Sequence, residues 1–371
     1  MGYVAVQGGE TAIRNADALA EYLRIKGESG PLRREQIEDQ LSHLVDRVMG
    51  EGSLYSRYHA ALAVKQAEGD PIEASFILRA YRSTLPRICS SVYWDRADER
   101  VVRRISSAFK DIPGGQILGA TNDYRQRILD FSIDAETESI VREKVESYLS
   151  SSVSPEKAEN TGNVPKVVEL LQEEGLVRTY AVAEDDPAVD ITRESVSFPL
   201  HRSGRLQLMS RSETGSILSL AYSSMRGYGS IHPTIAELRV TSVPLFIQHP
   251  YRRNERILCG RVTVTETEIL AKFDKDNGEG TASFTLGYGC CFGNNEVKAI
   301  SMAVLDRCMK SKEVTAPAED QEFVLSHIDG IESSGFCAHF KLPHYITFQA
   351  ELDRVREAKK EETHVNAHIE T

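Results

Sequence analysis

The sequence lacks any run that would cross a membrane as a helix. No apolar stretch approaches the roughly 18 to 20 residues that a span needs. The first residues, MGYVAVQGGETAIRNADALAEYL, show no basic start followed by an apolar core, so they do not read as a signal peptide. Cysteine is scarce: the six stand at positions 89, 259, 290, 291, 308 and 337 of 371. That scatter excludes a disulfide framework and an iron–sulfur cradle, and it points to a reducing cytoplasm. Positive charge is also short. Lys and Arg number 44 against 55 Asp and Glu, a net charge of −11. A chain this acidic is a poor coat for nucleic acid, because phosphate contacts need a cationic face. A local cluster for one nucleotide polyphosphate stays open. Neither a Gly-Lys-Ser/Thr phosphate loop nor a dinucleotide fingerprint occurs.

The remaining composition is that of a globular chain, with 41% hydrophobic and 27% charged residues. The length suits two to three domains. Residues 1–150 read as mostly helical. Asn15 is placed to cap a helix through Leu19 and Tyr22. Ile37, Leu41, Leu44, Val45 and Val48 form one apolar stripe that stops near Gly50. Asp70-Pro71-Ile72-Glu73 is a strong helix start, with Asp70 as cap and Pro71 in the first turn. A further helix is predicted over 99–109, then a turn at Pro113-Gly114-Gly115. Residues 151–190 read as a linker or long loop, polar and Ser-rich at their start. Beyond them the runs at 217–222, 238–240 and 257–264 read as strands. Gly287-Tyr288-Gly289 leads towards a helix carrying Val297, Ile300 and Val304. A late helix spans about 348–360, and 361–371 reads as a disordered tail. The fold class is therefore α+β: a helical N-terminal region, then a mixed sheet-and-helix region over 191–360.

Four groups of residues carry candidate chemistry. Arg79 and Arg82 share a helical face, Arg87 follows, and Lys110 precedes the Gly114-Gly115 turn. Several cations beside free backbone N–H groups suit a polyphosphate, whose charge is spread over many oxygens. The same residues also read as solvated helix faces paired with acids. Gly287, Gly289 and Gly293 before a helix suit an anion site, or simply tight packing. Arg226 with His232 and Glu237 suits anion binding and proton transfer, or an ordinary loop. His339 and His344, five apart across Pro343, match the spacing of half a zinc site, with Cys337 and His327 as possible further ligands. Packed imidazoles are the alternative.

Several longer words in the chain are shared with one family. They include Val-Met-Gly-Glu-Gly-Ser-Leu-Tyr at 48–55, Leu-Arg-Ala-Tyr-Arg-Ser-Thr-Leu-Pro-Arg at 78–87 and Phe-Lys-Asp-Ile-Pro-Gly-Gly-Gln at 109–116. Arg-Gly-Tyr-Gly at 226–229 with His232-Pro233, Gly-Tyr-Gly at 287–289, and His-Phe-Lys-Leu-Pro-His at 339–344 continue the series. In order and over almost the whole chain, these resemble the I subunit (PhnI) of bacterial carbon–phosphorus lyase. Cys290-Cys291 departs from the apolar residues expected there.

The resemblance implies a transferase subunit that, with its partners, displaces adenine from ATP using methylphosphonate. The product is α-D-ribose 1-methylphosphonate 5-triphosphate. It also implies purine nucleotide nucleosidase activity for the isolated subunit, and cytoplasmic partners: the G, H and J subunits and the ABC-type K and L subunits. His339 and His344 are implied as ligands of a Zn²⁺ shared with the J subunit, and Mg²⁺ can accompany ATP. Within these words, residue type suggests Arg79, Arg82, Arg87 and Lys110 for the triphosphate. It suggests Arg226 and His232 for phosphonate or base, and Glu51 or Glu237 for proton handling. A non-catalytic scaffold that lends its histidines to the radical J subunit is the other reading.

Overall fold

The computed structural model describes residues 9–151, 164–177, 189–226, 233–271, 283–311 and 313–369. Among them no helix is long and apolar enough to cross a membrane. The chain divides into two compact units. One joins Met1–Arg33 to Gly330–Thr371, and the other is Arg34–Asp329.

In the first unit the described elements are helices: α1 (Glu10–Ile25), α12 (Gly330–His339) and α13 (Tyr345–Ile369). α1 starts earlier than the sequence predicts, with Gly9 at its cap, so Asn15 lies inside it. α13 runs past the predicted end near 360 and through most of the expected tail.

The second unit opens with a small bundle of four helices: α2 (Arg34–Gln40), α3 (Ser42–Gly52), α4 (Arg57–Gln66) and α5 (Pro71–Ser83). The single predicted stripe is two helices broken at Leu41, yet Ile37, Val45, Val48 and Met49 still share one core with Ala60, Val64 and Leu78. Asp70 caps α5 as expected. Its Oδ1 accepts the N–H groups of Ile72 and Glu73 at 2.8 and 3.2 Å, with Pro71 at the first position.

The rest of this unit is an antiparallel sheet with helices against it. Its strands are β1 (Ser91–Val92), β2 (Arg100–Ile105), β3 (Thr234–Gln248), β4 (Arg256–Ala271) and β5 (Thr285–Phe292). The order is β1-β3-β4-β5, with β2 also paired to β3. The helices are α6 (Glu138–Ser151), α7 (Val167–Glu173), α8 (Arg202–Ser210), α9 (Thr214–Arg226), α10 (Glu296–Cys308) and α11 (Gln321–His327). α10 is buried on nearly every side, and with β4, β5 and α9 it forms the main core.

Two sequence expectations are corrected here. The helix predicted over 99–109 is the strand β2 over Arg100–Ile105; its β-branched run Val101-Val102 and Ile105 suits a pleat, and Arg103 and Arg104 are buried, Arg104 against Glu237. The strand predicted over 217–222 is the helix α9, which buries Ile217, Ala221 and Ser224 at i, i+4 and i+7. The strands predicted over 238–240 and 257–264 are real and much longer.

Gly287 and Gly289 set how closely the sheet meets α10. A Cβ built on Gly289 would lie 2.1 Å from the Ala299 carbonyl oxygen, and one on Gly287 would lie 2.1 Å from that of Ala303. Both neighbours are helix backbone and cannot swing aside, so only glycine fits. Gly289→Ala is expected to cost about 3 kcal/mol or more in urea unfolding. Gly335→Ala, on α12 with nothing within 4 Å, is the control and should be neutral or stabilising by up to about 1 kcal/mol.

Candidate functional site

The arginines of α5 converge as their helical spacing requires, but they are not equivalent. Arg79 is held on three sides: by Asp329 at 2.6 Å, the Glu51 carbonyl at 2.9 Å and the Arg211 carbonyl at 3.1 Å. Arg87 pairs with Asp190 at 2.5 Å and with the Thr192 hydroxyl at 2.8 Å. The Thr192 hydroxyl and Arg87 hold the Asp190 carboxyl at about 2. Arg82 lies between these two arginines and forms no ion pair among the described residues. Its Nε is buried without a hydrogen-bond partner. Burial, then the like charges of Arg79 and Arg87, lower its pKa, against a weaker pull from Asp190. A half-buried guanidinium flanked by two cations and lacking its own anion is a candidate for an anionic ligand. Lys110 is exposed, and Arg226 is exposed at the end of α9. His232 lies outside the described residues.

The glycine turn before α10 already has an anion. Gly293 has φ +73, and a Cβ there would lie 2.6 Å from that of Asp46. The Asp46 carboxylate accepts the Asn294 N–H at 3.0 Å, next to the helix cap Asn295. Glu51 does the same for α9. It accepts the N–H and hydroxyl of Thr214 at 3.0 and 2.8 Å, Arg47 at 2.9 Å and Ser75 at 3.3 Å. Its oxygens are committed to joining α3, α5 and α9.

Glu237 lies in a buried charged layer on the sheet face opposite α10. It accepts two hydrogen bonds from Arg104, at 2.8 and 3.1 Å, one from Arg239 and one from the Val167 N–H at 3.1 Å. Burial raises its pKa, but these arginines outweigh that and hold it below the usual range. Gly114, at φ +76, leaves room for Arg104: a Cβ there would sit 3.1 Å from its guanidinium and 2.8 Å from Val164. The Gly115 N–H is used internally, donated to Ile112 at 2.9 Å. Beside Glu237 stands a pair that sequence reasoning missed. Glu266 and Glu268 both meet the Lys166 ammonium, at 2.7 and 3.3 Å. The second Glu268 oxygen has no hydrogen-bond partner. Burial raises the Glu268 pKa to about 7; Lys166 opposes this, while Glu266 and Glu237 add to it. The signal was legible: in Thr265-Glu266-Thr267-Glu268 the acids alternate with period two and share one face.

In the other unit, His339 and His344 flank the turn between α12 and α13. Their ring centroids are 5.2 Å apart. Two imidazoles sharing one tetrahedral zinc at about 2.0–2.1 Å have centroids about 5 Å apart, so the rings fit. Each Nδ1 faces a backbone carbonyl, that of Leu342 at 2.6 Å for His344 and that of Phe336 for His339. This leaves both Nε2 atoms for a metal, since a carbonyl on one ring nitrogen fixes the tautomer of a ligating histidine. Among the described residues no group of three or more His, Cys, Asp or Glu is placed to hold a metal ion.

Residues 2–362 match the family described as bacterial phosphonate metabolism protein (PhnI). The chain belongs to the PhnI family. It is 48% identical to a "Putative C-P lyase subunit protein HtxH" of Stutzerimonas stutzeri, over 98% of this chain and 97% of the relative. Two relatives are named "Alpha-D-ribose 1-methylphosphonate 5-triphosphate synthase subunit PhnI". The one from Rhizobium meliloti is 44% identical over 97% of this chain and 95% of its own length. The one from Escherichia coli is 43% identical over 98% and 99%.

For this PhnI-family chain, Glu268 gives a pH test with a definite sign. Its folded pKa lies above the unfolded value near 4.5, so the folded state holds the extra proton between about pH 4.5 and 7. Stability should fall as pH rises through that window. Glu268→Gln removes the ionisable group. Relative to wild type, its unfolding free energy should gain by up to about 3 kcal/mol from pH 4.5 to 8, from roughly 1.4 kcal/mol per pH unit. A difference that stays flat across this range would mean that Glu268 is ionised in the fold throughout.

Proposed function

We propose that this chain is the I subunit of a carbon–phosphorus lyase core complex that displaces adenine from ATP with methylphosphonate. The product is α-D-ribose 1-methylphosphonate 5-triphosphate. The observation that carries this reading is the whole-length likeness, at 43–44% identity, to two relatives named as subunits of that synthase. The reaction is a transfer at the anomeric carbon. A phosphonate oxygen bonds to C1′, the C1′–N bond breaks, and the purine leaves with the electron pair and gains a proton. With water in place of phosphonate, the isolated chain acts as a purine nucleotide nucleosidase.

The arginine cluster supports a polyphosphate substrate. Arg82 supplies the uncommitted cation, and Arg79 and Arg87 raise the local potential while staying anchored to acids. Lys110 is an exposed cation assigned to the triphosphate, and the exposed Arg226 is assigned with His232 to phosphonate or base. Mg²⁺ accompanies the nucleotide. His339 and His344 would hold Zn²⁺, which supplies a Lewis acid for a phosphoryl oxygen; the J subunit or substrate fills the open positions. The G, H, J, K and L subunits are the partners in this reading, and the cytoplasm, where ATP is found, is the compartment.

Uncovered apolar surface supports assembly. The stretch 118–151 exposes Tyr124, Ile128, Leu129, Phe131, Tyr148 and Leu149, more than a free monomer usually shows in one segment. Adenine release from ATP, by the chain alone and with partner subunits and methylphosphonate, tests the function. Release that needs both supports transfer, release by the chain alone supports the nucleosidase, and no contribution from the chain leaves a scaffold. Arg82→Ala should weaken ATP relative to adenosine by about 1.5–3 kcal/mol, the scale of hydrogen bonds to charged groups. An equal loss for both ligands would remove the arginine from the triphosphate site. Metal analysis of the assembled complex should show zinc lost in His344→Ala; equal zinc in both would leave these rings as ordinary packed imidazoles.

A further inference from the structure

The β3–β4 hairpin has a bare edge. β4 pairs with β3 along its length from Arg256, but β5 covers only Val264–Ala271. At Thr263 the edge is closed, by the Tyr55 hydroxyl accepting its N–H at 2.9 Å and by its carbonyl accepting the Gly293 N–H at 2.8 Å. From Arg256 to Val262 no strand lies alongside among the described residues. Leu258 is 55% exposed there, and nothing lies within 4 Å of a Cβ built on Gly260.

The surface around this edge has the composition of an interface. Tyr251 at the hairpin tip is 91% exposed. Tyr93 and Ile88, 92% and 93% exposed, flank β1 and so extend the exposed surface on the far side of β3 rather than at the edge itself. Arg256 ties this end together, lying 4.6 Å over the Phe246 ring and donating to the Tyr93 carbonyl at 3.3 Å. Exposed tyrosine with arginine marks binding surfaces, whereas a blunted edge relies on lysine, proline or a cover. In a chain of net charge −11, residues 249–261 hold four arginines against the one acid Glu255. Arg252 pairs with Glu255 and Arg261 is held by Ser242 and the Asp98 carbonyl, so Arg253 and Arg256 carry the charge left for a partner.

We propose that an acidic, extended segment of a different subunit adds to β4 as a strand beside Arg256–Val262. A bare edge offers N–H donors and C=O acceptors in alternation. Only another extended peptide matches both, because a nucleic-acid backbone brings acceptors alone. A second copy pairing through this edge would set the same arginines against each other. Seven residues are enough for a strand of ordinary length. This rests on the multi-subunit part of the proposed function and not on its reaction.

The test places p-benzoylphenylalanine at Leu258 in the complex assembled with its partner subunits, and maps the photocrosslink by mass spectrometry. The expected product joins this position to a segment of another subunit with more Asp and Glu than Lys and Arg. Arg253→Glu with Arg256→Glu, checked for wild-type thermal stability, should weaken that subunit's association by about tenfold or more. The loss should be larger at about 50 mM salt than at about 500 mM. A crosslink to a second copy, to nucleic acid or to nothing overturns the proposal, as does unchanged association of a folded double variant. If the variant does not fold, the crosslink with the natural arginines decides. Failure of any complex to form overturns the proposed function as well, whereas a complex that crosslinks elsewhere overturns this inference alone.

Discussion

Asp46 and Glu51, one turn and a residue apart on α3, point their carboxylates at the N-termini of two other helices. Asp46 meets the start of α10 through the Asn294 N–H, and Glu51 meets the start of α9 through Thr214. The first N–H groups of a helix have no partner within it and carry partial positive charge, so a carboxylate there is bound twice over. These contacts lock the four-helix bundle α2–α5 to the two helices that back the sheet. They also fix the arginine cluster, because the Glu51 carbonyl is one of the three groups that hold Arg79. Replacing either acid with an apolar residue would strand buried donors on both sides of the seam, a cost of about 1–3 kcal/mol for each.

A second constraint is the charged layer beneath the segment 164–177. Arg104, Glu237, Arg239, Glu266, Glu268 and Lys166 meet on one buried face where an apolar sheet would ordinarily be simpler. The layer ties distant parts of the chain together. Arg104 from β2 reaches the Pro165 carbonyl at 3.0 Å, Glu237 from β3 takes the Val167 N–H, and Lys166 spans to β4. The segment is thereby held in one register over the sheet, which apolar contacts of Val167, Val168 and Leu171 alone would specify less sharply. Two carboxylates sharing one ammonium leave a surplus negative charge, and that surplus together with burial keeps a proton on Glu268 near neutrality.

What was legible in the sequence follows the range of the forces involved. The start of α5 depends on Asp70 and the next three residues, and it formed as read. β2 holds Arg104 against Glu237, more than 130 positions away, and Arg103 against Asp123 and Glu296; without those partners the two arginines look like a solvated helix face. α9 was misread because Ile217-Leu218-Ser219-Leu220-Ala221-Tyr222 lacks polar spacing, and its helical start is set by Glu213, which accepts the Gly215 N–H at 2.7 Å. The glycines at 287 and 289 read correctly as special, but the reason is the approach of α10 and not a phosphate. The arginine contacts were half legible. Helical spacing placed Arg79 and Arg82 on one face, but Asp329 and Asp190, which leave Arg82 as the uncommitted cation, come from far along the chain.

The exposed apolar residues constrain how such a chain persists. Each fully buried large apolar side chain contributes about 1.5–3 kcal/mol to folding, and those left in water contribute little. Among the described residues, 118–151 has no buried position, and α1 has none either. Their backbones are nonetheless regular, and α6 places Val141, Val145 and Tyr148 at i, i+4 and i+7. A helix with a sustained apolar stripe and nothing beneath it forms weakly on its own in water, since most helical stability comes from packing. Among the described residues nothing covers this stripe. The rings of His339 and His344 lie 5.2 Å apart, each with Nδ1 facing a backbone carbonyl, so the Nε2 atoms are left over in the same way.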